Sequence, residues 1–188
     1  MIRKAKTEDA KPVAKLIIQA MGELAYKFSN KSNQEATIKL FEHFFKEKNN
    51  QYSYENTLVY VDENENVIGI LNAYDGGKLE ELRANFLSYL SIHNGLINFN
   101  PEPETEADEF YLDTISVNPL TQGKGIGKKL IDAGIKWASE LGHKKVGLLV
   151  EIKNQKALQV YISKGFIIQN EKIFIGERYH HMSYTIVL

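Results

Sequence analysis

The chain has 188 residues, of which 43% are hydrophobic and 25% charged, as expected for one folded domain or one domain with an insertion. Its net charge of −1 gives no global field toward nucleic acid or an anionic membrane, and its lack of cysteine excludes disulfides, zinc–thiolate sites and a thiol nucleophile. No apolar run approaches a membrane span, and the first dozen residues lack the apolar core of a secretion signal, so a cytoplasmic protein is expected.

Residues 1–5 read as a short strand. Thr7 or Asp9 can cap a helix with Pro12 in its first turn, and Val13, Leu16, Ile17, Ala20, Met21 and Leu24 mark one apolar face of it. Ser32 and Glu35 have the spacing of a capping box, opening a second helix with Ile38, Phe41, Phe44 and Phe45 inward. Residues 57–61 and 67–73, joined by a polar turn, form a hairpin. Gly76 and Gly77 break the chain, and Leu79, Leu82, Phe86, Leu87 and Leu90 then recur at helical spacing until the Asn94-Gly95 turn. Residues 100–109 hold Glu102, Glu104, Glu106, Asp108 and Glu109. A run of like charge is usually a solvated loop, and that reading is favoured here over a lid that draws in a cationic amine.

Residues 109–117 read as the central strand. Simple alternation puts positions 109, 111, 113, 115 and 117 on one face, so Glu109 and Asp113 point the same way as Tyr111. Asn118-Pro119 ends the strand. After Gln122-Gly123-Lys124-Gly125-Ile126-Gly127, the residues Ile126, Leu130, Ile131, Gly134, Trp137, Ala138 and Leu141 recur at helical spacing as far as Gly142. Three glycines therefore sit where a helix begins just after a strand. The first N–H groups of a helix lack intrahelical partners and carry the positive end of its dipole, so an anion, and a phosphate above all, is stabilised there. Lys124, Lys128 and Lys129 add positive charge. The turn matches neither the dinucleotide GxGxxG pattern nor a Walker A loop.

Residues 146–150 form the next strand. Asn154 is a good N-cap, and Ala157, Leu158, Tyr161 and Ile162 fall on its side of the following helix. Residues 166–174 and 179–187 make a closing pair of strands. His180 and His181 are adjacent and face opposite ways on a strand, and His43, His93 and His143 show no ligand spacing, so no metal site is expected.

Gln122-x-x-Gly125-x-Gly127, followed by Asn154-x-x-Ala157-x-x-x-Tyr161-x-x-x-Gly165-Phe166, resembles the paired motifs of the GNAT N-acetyltransferase superfamily, in the order and at about the separation found there. The resemblance covers residues 109–166 most closely. It implies an α/β (mixed α+β) fold in three layers: a twisted, mostly antiparallel mixed sheet of six to seven strands, helices on both faces, and two central parallel strands that splay apart. Residues 1–188 then form a single domain, with 76–108 as an insertion or substrate lid.

The resemblance also implies acetyl-CoA as co-substrate and an amine as acceptor. The pyrophosphate falls to Gln122, Gly123, Lys124, Gly125, Ile126, Gly127 and Lys128. The pantetheine runs along the open backbone of Ile115, Ser116 and Val117, with Asn154 and Lys156 beside it. Tyr161 protonates the departing thiolate. Tyr26 and Phe28, between the first two helices, wall the acceptor pocket. Glu109 or Asp113 takes the amine proton, unless a chain of waters does. Glu109 is preferred because the start of the strand lies nearer the acceptor, while Asp113 has the alternative of a buried structural acid. A homodimer joined through the terminal strands is possible. Two other readings stand beside the enzyme: a non-catalytic CoA-binding or regulatory module on the same fold, and an unrelated phosphate-binding α/β protein.

Overall fold

The computed structural model describes residues 1–30 and 33–187. In chain order it contains β1 (Ile2–Lys4), α1 (Ala10–Met21), α2 (Glu23–Ser29), α3 (Gln34–Lys46), β2 (Thr57–Val61), β3 (Val67–Asp75), α4 (Leu79–Asn94), β4 (Phe110–Val117), α5 (Ile126–Glu140), β5 (Lys145–Glu151), α6 (Gln155–Ser163), β6 (Ile167–Phe174) and β7 (Glu177–Thr185). The strands make one sheet in the order β1-β2-β3-β4-β5-β7-β6. β4 and β5 run parallel, and every other neighbouring pair is antiparallel.

Two apolar layers hold the sheet. On one face α1 to α4 pack around Ile17, Phe41, Phe45 and Phe86; on the other, α5 and α6 pack around Leu112, Leu130, Ile131 and Phe166. Each such side chain contributes about 1.5–3 kcal/mol on full burial. α5 shows how the sequence pattern produces this: Ile126, Leu130, Ile131, Gly134 and Ala138 form one buried stripe at helical spacing.

The first apolar stretch is two helices rather than one. Gly22, at φ +56°, ends α1, and α2 starts at the next residue, so Tyr26 and Phe28 lie on a helix and not in an irregular connection. Ser32 lies outside the described residues. The cap seen on α3 is Asn33, whose side chain accepts the Glu35 N–H at 2.8 Å. Asp9 stands at the cap position of α1 but makes no cap bond; its carboxylate binds Arg3 at 2.7 and 2.9 Å and the Lys6 N–H at 2.8 Å.

The stretch between β3 and β4 is part of the core. Phe86 and Leu90 of α4 are fully buried against α1 and α3. Within the acidic run, Glu104 and Glu109 are buried, contrary to a wholly solvated loop.

Two features of β4 shape everything that follows. Thr114 pairs with Asn72 and Leu112 with the next residue, Ala73, so Asp113 is an extra residue on β4, a β-bulge. The bulge reverses the alternation. Before it, Leu112 faces α5 while Tyr111 and Asp113 face Tyr74 on the other side; after it, Ile115 joins the α5 layer and Ser116 faces α1. The expectation of a single face for 109 to 117 is therefore corrected at Asp113. In addition, β4 and β5 pair only at Phe110–Val146 and Tyr111–Gly147 before they separate. Among the described residues, the backbone of β4 beyond Tyr111 has no strand on its β5 side.

Candidate active site

The separation of β4 and β5 opens a cavity of about 730 Å³. Gln19 of α1, Phe28 of α2, Arg83 of α4, Asp113 of β4, Leu149 of β5 and Tyr161 of α6 all reach its wall, so nearly every layer contributes. Such a concave, part-apolar space with a few converging polar groups is where a small ligand is held.

At the far end of β4 the glycine turn has the geometry its spacing suggested. Gly123 and Gly125 adopt φ +80° and +76°, a conformation costly for any residue with a Cβ, and Gly125 is the N-cap of α5. The Lys129 N–H binds the Gly125 carbonyl at 3.1 Å, which leaves the amides of the first turn, Ile126 to Lys128, directed outward. Gln122 fixes the turn to the strand by donating from Nε2 to the Val117 carbonyl at 3.1 Å. The same carbonyl accepts from Gln19 Nε2 at 3.0 Å, and Gln19 also reaches Ser116 Oγ at 3.0 Å. Side chains thus occupy the Val117 carbonyl and the Ser116 hydroxyl. The turn itself does not line the cavity; it lies beyond the end of β4, open to solvent.

α6 brings Asn154 and Tyr161 to the opposite wall. Asn154 Oδ1 caps the helix by accepting the Ala157 N–H at 3.1 Å, which leaves its amide N–H groups for another partner. The Tyr161 ring packs edge-to-face on Phe166 at 6.0 Å, and burial pushes its phenol up to about 12, so it keeps its proton across the physiological range. Lys156 is exposed on the first turn of α6.

The two expected carboxylates lie in different surroundings. Glu109 is fully buried, 3.0 and 3.2 Å from His181 Nε2, and accepts the Glu106 N–H at 2.9 Å. Its carboxylate rests against Gly147, where a Cβ would sit 2.0 Å away, so β5 needs glycine there. Glu109 does not reach the cavity wall, whereas Asp113 does. Asp113 accepts from Tyr74 Oη at 2.7 Å and from Thr114 Oγ1 at 2.8 Å, and burial raises its carboxyl. Glu104, also on the wall, takes Arg83 Nη2 at 3.0 Å and lies 3.4 Å from the same Tyr74 hydroxyl. Burial, and then the charge of Asp113, lift Glu104 to about 8.

Phe28 lines the cavity, with Phe86 at 5.3 Å and Phe99 at 5.7 Å; Tyr26 does not reach it and packs on the core of α1 to α4. The tip of the β6–β7 hairpin closes one side. There Ile175 takes φ +49°, unusual for a β-branched residue, and its N–H donates to Glu102 at 3.0 Å. Glu104, Arg83, Tyr74 and Gln19 were not anticipated as site residues. One trace of them was available. Arg83 shares the helical spacing of Leu79, Phe86 and Leu90, and an arginine on an apolar face requires a buried acceptor.

Among the described residues no three histidines or acids converge as metal ligands, and no helix is long and apolar enough to cross a membrane. Residues 18–166 match the family model described as the acetyltransferase (GNAT) family. A crystal structure of an acetyltransferase is 30% identical, with a TM-score of 0.81 and complete coverage of both chains. An N-acetyltransferase from Staphylococcus aureus Mu50 is 24% identical, with a TM-score of 0.83 over 98% of this chain and 100% of that one. In sequence, a mycothiol acetyltransferase from a Nocardioides species is 33% identical over 78 residues, 42% of this chain and 26% of that protein. The match thus spans about a quarter of that relative's length.

Proposed function

Because the chain belongs to the acetyltransferase (GNAT) family, we propose that it transfers the acetyl group of acetyl-CoA directly to a primary amine held in the cavity between the helices α1 to α4 and the open ends of β4 and β5. The observation that carries this reading is the order of three parts, the first beyond the end of β4 and the last in the cavity wall. These are the outward amides at the start of α5, the unpaired edge of β4, and a protonated tyrosine on α6. A pyrophosphate suits the first, an extended amide-bearing arm the second, and a thioester sulfur the third.

In this mechanism an acceptor with a normal pKa of about 10.4 arrives as an ammonium ion and must lose a proton before it attacks. Asp113 takes that proton; it lines the cavity, and Glu109 does not. The nitrogen bonds to the carbonyl carbon as the carbon–sulfur bond breaks, and the second amine proton leaves when the amide forms. Tyr161 gives its proton to the thiolate and is reprotonated. An ammonium and a thioester thus become an amide, a free thiol and one released proton. An N–H on the open edge of β4 stabilises the oxyanion. Holding both reactants in one groove supplies about 7–11 kcal/mol in favourable cases.

The wall also carries Glu23, Glu151 and Glu177 against Lys27, an acidic bias that attracts a cationic amine. A cytoplasmic location goes with this reading. The exposed edge of β6 is where a second copy would pair in a homodimer. The test is a screen of small amines and peptides with acetyl-CoA held constant and release of free thiol as readout. Acetylated product with thiol release supports the reading. Tight acetyl-CoA binding without turnover of any amine would leave a non-catalytic CoA-binding module in its place.

A further inference from the structure

Between β3 and β4 the chain departs from a plain hairpin: α4 and the extended segment after it return two charged side chains to the cavity wall. Arg83 and Glu104 are both nearly inaccessible to solvent. The guanidinium spends its fork inside the protein, donating to Glu104 at 3.0 Å from one nitrogen and to the Pro101 carbonyl at 3.2 Å from the other. Its one positive charge cannot balance two carboxylates, and the second carboxylate is Asp113. The two acids meet through a single group, the Tyr74 hydroxyl, 2.7 Å from Asp113 and 3.4 Å from Glu104.

A tyrosine hydroxyl has one proton to donate. The shorter contact gives it to Asp113. Glu104 Oε1, which already accepts from Arg83, is left with the long contact, and a proton on Glu104 removes the second negative charge that Arg83 cannot balance. Glu104, Tyr74 and Asp113 are then one connected polar chain that ends on the carboxylate facing the cavity. Gln51, Tyr52 and Tyr111 complete the surroundings and supply no further cation.

Resting on the reading of Asp113 as the proton acceptor, we propose that Glu104 is a positioning residue for the transfer reaction. With Tyr74 and Arg83 it makes a two-carboxylate, one-proton unit that keeps Asp113 ionised while Arg83 balances the one negative charge of the pair. An acceptor ammonium reaching the wall meets the ionised Asp113, and its proton enters a pair that already holds one. Glu104 has no need to touch the acceptor. In this account the segment between β3 and β4 is what tunes the base.

The experiment is a pH titration followed by carbon-13 NMR on protein labelled at the aspartate and glutamate carboxyl carbons, in the wild type, Glu104→Gln and Tyr74→Phe. In the wild type, two carboxyl signals should titrate together, with a step near or above neutrality. In Glu104→Gln the upper step should vanish while the Asp113 midpoint moves by less than about one pH unit, because glutamine is neutral like the protonated acid it replaces. In Tyr74→Phe both midpoints should move. Should the glutamine variant fail to fold, the phenylalanine variant decides, since it removes only an oxygen. An upper step that survives Glu104→Gln, midpoints that stay in place in Tyr74→Phe, or a wild type in which no carboxyl titrates above pH 6, overturns the inference. A protein that acetylates no amine yet keeps the coupled titration refutes the transferase reading alone. An active transferase whose upper step survives Glu104→Gln, or whose midpoints ignore Tyr74→Phe, refutes this one alone.

Discussion

Replacing Glu109 by Gln separates the role the sequence favoured from the place the fold gives this acid. The carboxylate is fully buried between His181 Nε2, at 3.0 Å, and the Glu106 N–H, at 2.9 Å, and presses on Gly147. Glutamine keeps the volume but loses the charge and offers an NH2 group where an oxygen had accepted. Weakening one charge-assisted bond of a buried carboxylate costs about 1.5–3 kcal/mol. At about 2–4 °C per kcal/mol for a chain of this size, the melting temperature should fall by about 3–12 °C. The folded variant should turn over within about threefold of the wild type, since Glu109 does not reach the cavity, whereas loss of a general base costs about 10²–10⁴-fold. Thermal melts beside initial acetyl-transfer rates, taken well below the transition, measure both. An unchanged melting temperature with a rate down a hundredfold would refute the structural placement and restore Glu109 as the base.

Tyr161→Phe should lower kcat by about 10²-fold or more, roughly 2.7 kcal/mol, while leaving acetyl-CoA affinity near normal; the ring keeps its packing on Phe166, so an unchanged kcat removes the acid role. Gly125→Ala meets open space but must hold φ +76°, at a cost of about 1–2 kcal/mol. The alanine turn should relax in the free protein and regain φ +76° on binding, so calorimetry should show acetyl-CoA bound about 5–30-fold more weakly, with a smaller effect on the melting temperature than Glu109→Gln. Glu104 is raised from the ordinary carboxylate value to about 8, so the native state holds a proton that the unfolded chain has lost. Stability from this group is fully present below about pH 4.5 and declines as pH rises toward 8, by at most about 1.4 kcal/mol per pH unit. Urea titrations across that window should show the slope in the wild type and a flatter line in Glu104→Gln.

The parts of this protein that repeat along the chain were legible from the chain. The stripe of α5, the β2–β3 hairpin and the glycine turn between β4 and α5 depend on neighbours a few residues apart, and periodicity reports those directly. The bulge at Asp113 was not legible, because an extra residue in one strand is defined only against its partner, here Asn72 and Ala73. That one residue turned the expected common face of Tyr111, Asp113 and Ile115 into two. Glu104 was hidden for a similar reason: in sequence it is one acid in an acidic run, and only Arg83 and Tyr74, 21 and 30 residues away, distinguish it from its exposed neighbours Glu102 and Asp108. Likewise Gly22 splits what one apolar stripe presented as a single helix, and the split moves Phe28 to the wall and Tyr26 away from it.

The central claim is that amides at the start of α5 grip a pyrophosphate and so aim a thioester down the gap between β4 and β5 toward Tyr161. Amide NMR of the wild type, titrated with acetyl-CoA, tests it most directly. The account predicts large shifts and slowed hydrogen exchange at Gly123 to Lys128 and at Ile115 to Val117, with smaller effects at the outer strands β1 and β6. Binding that leaves Gly123 to Lys128 unshifted, or that perturbs residues away from this groove, contradicts it.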